Sequence, residues 1–325
     1  MKKIFGALCL FAVLFCIESC NDEWKEEQFE RYISFKAPIG DGGVSHIYVR
    51  YKGNENTIYK LPVIVSGSTT NDQNMTVHVA VDPDTLDALN YDRFQNRTDY
   101  YYKVLENKYY SIPATVDIKS GENVSLMDID FSLKGIDLVE KWVLPLTIVD
   151  DPSYDYVANP RKHYKKALLR VNPFNDFSGT YSSTALKVHL GDNQSLYMQQ
   201  VRTYVVDEKT IFFYAGIINE DRRDRSLYKI KAEFDELNKT VTLSADNPTI
   251  NFTLNKTATY SVMEYMDETR PYLLHRIITI SNIDYVFTDY TMVDGTVLTF
   301  YVEGSLILER KLNTQIPDED QAIEW

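Results

Sequence analysis

This sequence predicts an all-β protein, on three observations. Apolar residues recur with period two. Val77, Val79 and Val81 share one face of 76–82, as Met127, Ile129 and Phe131 do in 126–131, the alternation of a strand with one buried side. Tyrosine is abundant, 24 of 325 residues, and aromatic and β-branched side chains suit a pleated surface. Gly, Asn, Asp and Pro punctuate the gaps, as at Gly40-Asp41-Gly42-Gly43 and Lys119-Ser120-Gly121. Only 83–90 reads as a helix, and the chain is too long for one comfortable core, so two domains are expected.

In chain order, Lys2 and Lys3 precede an apolar run from Ile4 to Ile17, the layout of an export signal. A spanning helix needs about 20 apolar residues, so this run is too short for a permanent span. It ends in Leu14-Phe15-Cys16-Ile17-Glu18-Ser19-Cys20, which resembles the lipobox of bacterial lipoproteins. The resemblance implies a signal peptide over 1–19, lipidation of Cys20 and a membrane anchor; with the segment that follows Cys20, the expected place is the outer membrane with the body facing the cell exterior. Cys9 and Cys16 leave with the signal, so no disulfide is expected in the mature chain. Residues 20–28 read as an acidic tether, and Asn21-Asp22-Glu23-Trp24-Lys25-Glu26-Glu27 is similar to the export signal of Bacteroidetes surface lipoproteins.

Over 29–172, strands are expected at 32–35, 46–51, 60–65, 76–82, 115–119, 126–131, 143–149 and 166–171. Strands at this spacing predict an immunoglobulin-like sandwich. Pro173, among Asn172, Asn175 and Asp176, is expected to break the last strand and open a linker. Over 173–325, strands are expected at 180–189, 198–206, 210–214, 227–234, 240–244, 249–254, 257–265, 273–281, 285–290, 297–302 and 305–311. Turns at Asp294-Gly295 and Leu237-Asn238-Lys239 join sequential antiparallel strands. This predicts a lipocalin-like antiparallel β-barrel, with a second β-sandwich as the alternative.

The formal net charge of −13 repels phosphate backbones and argues against nucleic acid as a partner. The five histidines, at 46, 78, 163, 189 and 275, lack metal-ligand spacing, and one mature cysteine cannot build a thiolate zinc site. No metal or cofactor is expected. The sequence contains no G-x-S-x-G elbow, P-loop or G-x-G-x-x-G, so no catalytic motif is assigned. Asp128 and Asp130 share a strand face opposite Met127, Ile129 and Phe131, which reads as a solvent side.

Three loop clusters supply candidate binding residues, because such residues concentrate on loops carried by rigid scaffolds. The run 151–156 offers Tyr154 and Tyr156, 221–225 offers Arg222 and Arg223, and 265–272 offers Tyr265 and Tyr272. Rings of this kind pack on sugar faces, and guanidinium groups fork onto hydroxyls or carboxylates. Of Tyr100-Tyr101-Tyr102, at least one ring is expected to turn inward.

The segment Tyr110-Ser111-Ile112-Pro113 through Val116-Asp117-Ile118-Lys119-Ser120-Gly121, followed by Trp142-Val143-Leu144-Pro145-Leu146-Thr147-Ile148, resembles a domain of unknown function in Bacteroidetes lipoproteins of polysaccharide-utilisation loci. In some relatives that module precedes a family 18 glycoside hydrolase barrel. The DxxDxDxE motif of that barrel is absent, and Asp128-Ile129-Asp130 lacks its glutamate. The string from Phe174 to Leu186 and the ending Asn313-Thr314-Gln315-Ile316-Pro317-Asp318-Glu319-Asp320 resemble a second, uncharacterised module. Together they imply a surface protein that binds polysaccharide or oligosaccharide without cleaving it, alongside a SusCD-type importer. The alternatives are a minimal carboxylate glycosidase, a structural subunit of a surface complex, and a carrier of a small apolar ligand in an open barrel.

Overall fold

The computed structural model describes residues 26–191 and 194–317. The lipobox with Cys20, and the last eight residues, lie outside the described residues. The chain is already fixed at the end of the expected tether. The Glu27 carboxylate accepts the N–H groups of Ser68 (2.7 Å) and Thr69 (3.1 Å) and pairs with Arg31 (3.2 Å).

The N-terminal half runs β1 (Ile33–Phe35), β2 (Ser45–Arg50), β3 (Thr57–Val65), β4 (Met75–Val81), helix α1 (Pro83–Phe94), β5 (Lys103–Val104), β6 (Tyr110–Ser111), β7 (Thr115–Ile118), β8 (Val124–Phe131), β9 (Trp142–Ile148) and β10 (Lys166–Phe174). These pair into two sheets, β1-β3-β8-β6 and β2-β10-β9-β4-β7, with β5 alongside β9. The alternation seen in the sequence decides the facing sides. Leu61, Val63, Met127, Ile129 and Phe131 of one sheet are buried with Val77, Val79, Leu144, Leu146 and Ile148 of the other. The result is a two-layer sandwich.

Strand β9 is buried on both faces. Leu144 and Leu146 enter the sandwich core, while Val143 packs outward with Val44, Leu86 and Tyr102 in a second cluster beneath α1. The helix outruns its expected end at Asn90 and reaches Phe94, because contacts remote in sequence hold its last turn. Pro173 does not break β10, which continues through Phe174. Pairing with β9 has ended at Arg170, and Pro173 lies opposite Val49 of β2, a position where the ring's missing donor breaks no bond to β9.

After the Asn175–Ser178 turn the C-terminal half runs β11 (Gly179–Ser182), β12 (Leu186–Leu190), β13 (Gln194–Leu196), β14 (Gln200–Val205), β15 (Thr210–Tyr214), β16 (Lys229–Asp235), β17 (Thr240–Ala245), β18 (Thr253–Leu254), β19 (Ala258–Met266), β20 (Leu273–Val293) and β21 (Thr296–Asn313). Among the described residues, β11-β14-β15-β16-β17-β19-β20-β21 form an antiparallel ring, closed where Ser182 meets Ile307. This is a barrel rather than a second sandwich. Its interior is filled. Phe177 stacks on Phe234 at 4.0 Å, and Tyr260 meets Phe234 edge-on at 5.1 Å, so the open lumen that an apolar carrier needs is occupied by side chains.

Strands β20 and β21 each replace two expected ones. Asn282, at φ 59, sits in a bulge between Ile280 and Ile283, and Gly304, at φ 132, lies opposite Ile283. Both residues look like turns in sequence, yet here they bend continuous strands. A Cβ on Gly304 would come within 2.1 Å of the Ala185 carbonyl oxygen, so only glycine fits.

The halves pack together. Every residue of β15 is buried: Ile211 and Phe213 belong to the core, and Phe212 stacks against Tyr204 at 5.0 Å. A recess bounded by Leu138, Trp142, Arg170, Arg202 and Tyr204 marks the seam. Glu220 lies there, accepting from the Tyr204 hydroxyl (2.9 Å) with Arg170 at 3.5 Å and Arg202 at 3.9 Å. Burial opposes its charge, but Arg170, Lys141 and Arg202 outweigh it and pull its pKa down to about 2.

Candidate functional site

The first predicted cluster folds onto β4. Tyr154 lies flat on His78, 4.1 Å away and 6° from parallel, with Tyr156 5.4 Å behind it. Tyr156 is only 6% exposed; its hydroxyl accepts the His78 backbone N–H (3.0 Å) and donates to the Val149 carbonyl (2.7 Å). Tyr156 therefore closes the strand end and presents no ring face to a ligand. Tyr154 remains half-buried above it.

In the second cluster, Arg222 is committed to this chain's own acids. It donates to Asp224 (2.7 Å), forks onto both oxygens of Asp289, and rests 4.7 Å from the Tyr228 ring centroid. Arg225 is buried and donates to the Val139 carbonyl (2.8 Å), fastening this loop to the N-terminal half. Arg223 differs. Its side chain is 63% exposed and reaches Asp99 of the other half at 3.5 Å, a surface pair worth about 0–1 kcal/mol.

The third cluster stands on the β19–β20 hairpin. Tyr265, exposed, stacks on His275 at 4.8 Å. The two ring nitrogens of His275 face Glu309 (2.7 Å) and Asp267 (3.1 Å), which raise its pKa. Tyr272 is exposed, and its carbonyl accepts the Thr314 N–H (2.8 Å). Each of the three clusters is thus held by its own local partners. Only Arg223 is brought to a different group of binding-type residues.

That group lies at the end of α1. Helix α1 stops at Gln95, whose φ of 52 turns the chain while its N–H still bonds the Tyr91 carbonyl. A short turn follows over Thr98–Tyr100, and the Tyr101 hydroxyl donates back to the Gln95 carbonyl (2.6 Å). Asn90, 2% exposed, holds this loop. Its amide donates to the Tyr102 carbonyl and accepts the Tyr102 N–H, both at 2.8 Å. Tyr102 is the ring that turns inward. Phe94 is the hub, with centroids 5.8 Å from Tyr102, 6.2 Å from Tyr100 and 6.2 Å from Tyr101.

Arg93 rides over Phe94 (5.5 Å) and Arg97 over Tyr100 (5.2 Å), while Tyr91 is exposed on the same helix end. The face therefore combines rings on a fixed loop with exposed guanidinium groups, and Arg223 joins it from the barrel side. Rings and fork donors side by side suit a hydroxyl-rich ligand. Sequence reading noted Tyr100–Tyr102 but missed Arg93, Phe94 and Arg97. The available signal was the density of rings and arginines over 91–102.

Asn90→Ala is expected to cost about 1–3 kcal/mol, since it leaves the Tyr102 N–H and carbonyl without their partner in a buried site. Urea unfolding would measure the loss, and hydrogen exchange would show it concentrated at 95–102. Unchanged exchange there would mean that the loop is held by its rings alone.

A second recess, of about 480 Å3, lies at the junction between Arg50, Lys52, Asp176, Glu208, Lys209 and Glu236. Arg50 already forks onto Asp176 (3.1 Å) and Lys209 pairs with Glu236 (3.6 Å). The recess's rings, Tyr51 and Phe177, are buried, whereas Tyr91 at the α1 end is exposed.

Comparison with known proteins is consistent with both halves. The family described as Domain of unknown function (DUF4973) matches residues 24–152, and a second family, described only as a C-terminal domain, matches 165–306. No curated protein matches the chain. Among solved structures, a Bacteroides ovatus protein of unknown function is 48% identical, with 90% of this chain and 100% of that one covered at a TM-score of 0.81. A Bacteroides thetaiotaomicron protein described as an auxiliary nutrient binding protein is 46% identical, with 91% and 100% covered at 0.81. A further Bacteroides ovatus protein of unknown function is 37% identical, with 93% and 97% covered at 0.79. The chain therefore belongs to the family of these Bacteroides proteins, which its two matched domains span from residue 24 to residue 306.

Proposed function

We propose that this protein is a lipid-anchored outer-membrane protein that binds glycan at the cell surface, without cleaving it, and serves a polysaccharide-uptake system. The observation that carries the reading is the α1 end, where Tyr91 is exposed on the helix, Phe94 ends it, and Tyr100 and Tyr101 follow on a loop pinned by Asn90, beside exposed arginines. Sugar recognition needs ring faces for the apolar side of the sugar and polar groups for its hydroxyls, and a pinned loop lowers the ordering cost of binding. The relative described as an auxiliary nutrient binding protein supports the same role. Anchoring rests on the lipobox ending at Cys20, and several acyl chains hold firmly at about 0.8 kcal/mol per buried CH2.

The test is a glycan array followed by calorimetry on the lipid-free mature body (residues 21–325), with chromatography of every bound glycan. Saturable binding of intact glycan, weakened about tenfold by Tyr100→Ala with Tyr101→Ala, is the expected result. Shortened product would make the protein an enzyme, and silence on all polysaccharides would leave a structural role. In cells, Cys20→Ala is expected to move the protein out of the membrane fraction. Retention there would remove the anchoring claim.

A further inference from the structure

We propose that the glycan bound at the α1 end is anionic, a polysaccharide bearing carboxylate or sulfate groups. This rests on the binding role proposed above and adds the charge of its ligand. Arg93 and Arg97 are both exposed, and each is placed over a ring. Among the described residues, neither has a carboxylate within ion-pair distance.

No carboxylate among the described residues takes the N–H donors of Arg93 or Arg97, so these remain available to fork onto a carboxylate or sulfate. The rings beneath them, Phe94 and Tyr100, are 6.2 Å apart and 25° from parallel, so both cations belong to one ring cluster. Arg223 adds a third across the seam. Its pairing with Asp99 is exposed on both sides, so a ligand anion can replace that partner at little cost.

Asp99, opposite Arg223, and Asp92, on the last turn of α1, share this surface, and neither pairs with Arg93 or Arg97. The chain as a whole carries −13 and repels a polyanion at long range. Cations without acid partners on such a molecule need a use. A neutral glycan gives them only hydroxyls, whereas an anionic one completes their forks. Because the long-range field opposes approach, selectivity must come from short-range contact at these arginines. Removing them should therefore abolish the preference for charge rather than merely slow association.

The experiment titrates the mature protein with polygalacturonate, dextran sulfate, uncharged dextran and a single-stranded DNA oligomer, at about 0.01 M salt, where charges act over roughly 30 Å, and about 1 M, where they act over roughly 3 Å. Binding of polygalacturonate or dextran sulfate is expected at least tenfold tighter than dextran, with the tighter of the two naming carboxylate or sulfate as the preferred group. The double substitution Arg93→Gln with Arg97→Gln should weaken it about tenfold at low salt, and the gap between the two proteins should narrow at high salt, which screens the arginines' contacts. Arg93→Lys with Arg97→Lys should recover part of the loss, which excludes a folding defect. Equal binding of dextran, unmoved by these substitutions, would overturn the charge assignment and leave glycan binding intact. DNA bound as tightly as polygalacturonate would overturn the glycan assignment for this patch, and no binding to any polymer would overturn both.

Discussion

Asp289→Ala is expected to destabilise the protein by about 3–5 kcal/mol, the cost of removing one partner from a buried, hydrogen-bonded ion pair. Asp289 is 1% exposed. It accepts from the Tyr228 hydroxyl (2.9 Å), the N–H of Thr291 (3.0 Å) and the N–H of Met292 (2.9 Å), and both its oxygens face Arg222. Truncation leaves these donors without their acceptor at the end of β20. Arg222→Ala should cost less, about 1–3 kcal/mol, because the carboxylate keeps its two N–H donors and the Tyr228 hydroxyl. Urea unfolding of both variants gives the order. A larger loss for Arg222→Ala would show that the guanidinium, through Asp224 as well, carries the loop.

The same site sets an acid dependence. Burial works against the charge of Asp289, but Arg222, the Thr291 N–H and the Tyr228 hydroxyl outweigh it and hold its pKa well below the usual carboxylate range. A carboxylate depressed in the folded state stabilises fully above its unfolded pKa of about 4, and that contribution disappears as pH falls toward the folded value. Asp289→Ala should therefore flatten the fall of stability below about pH 4.

Much of the architecture could be read from local pattern, and the exceptions share one cause. Strand β15 was expected at 210–214 and lies there, because Asp207 and Lys209 mark its turn and its residues suit only a strand. Its burial on both faces could not be read, since rings from other strands, such as Tyr204 against Phe212, cover it. Asn282 and Gly304 looked like turns because both favour positive φ; only the partner strand shows that one is a bulge and the other a close approach. Arg222 reads from its loop as a candidate binding residue, but it is taken up by Asp289, 67 positions away, and no spacing rule reaches that far. The α1 site was hidden for the same reason. The helix end is held by Asn90 gripping Tyr102 twelve residues later, with the Tyr101 hydroxyl on the Gln95 carbonyl, and these contacts bring Phe94 beside Tyr100.

Arg310→Ala is expected to cost about 3 kcal/mol or more and to loosen the joint between the halves. Arg310 is 4% exposed at the barrel mouth, with its guanidinium 5.6 Å from the Phe174 ring centroid. It donates to the Asn175 carbonyl (2.9 Å) and to the Ser178 carbonyl, the two ends of the turn that joins the halves. Burial lowers its pKa to about 10, so it stays charged at neutral pH, and hydrogen bonds to a charged donor contribute about 1.5–3 kcal/mol each. The turn has support of its own, since Asn175 accepts the N–H groups of Phe177 (2.9 Å) and Ser178 (2.8 Å). Its carbonyls, however, have no other donor among the described bonds apart from the Ser178 hydroxyl at 3.5 Å. Arg310→Met preserves most of the stem and separates the two contributions. If Met recovers most of the lost stability, packing against Phe174 dominates; if Met behaves like Ala, the carbonyl bonds do. Limited proteolysis provides the structural readout, because a turn released by losing those bonds should be cut between residues 174 and 179. A variant that is destabilised yet resists cleavage there would place the damage inside the barrel rather than at the joint.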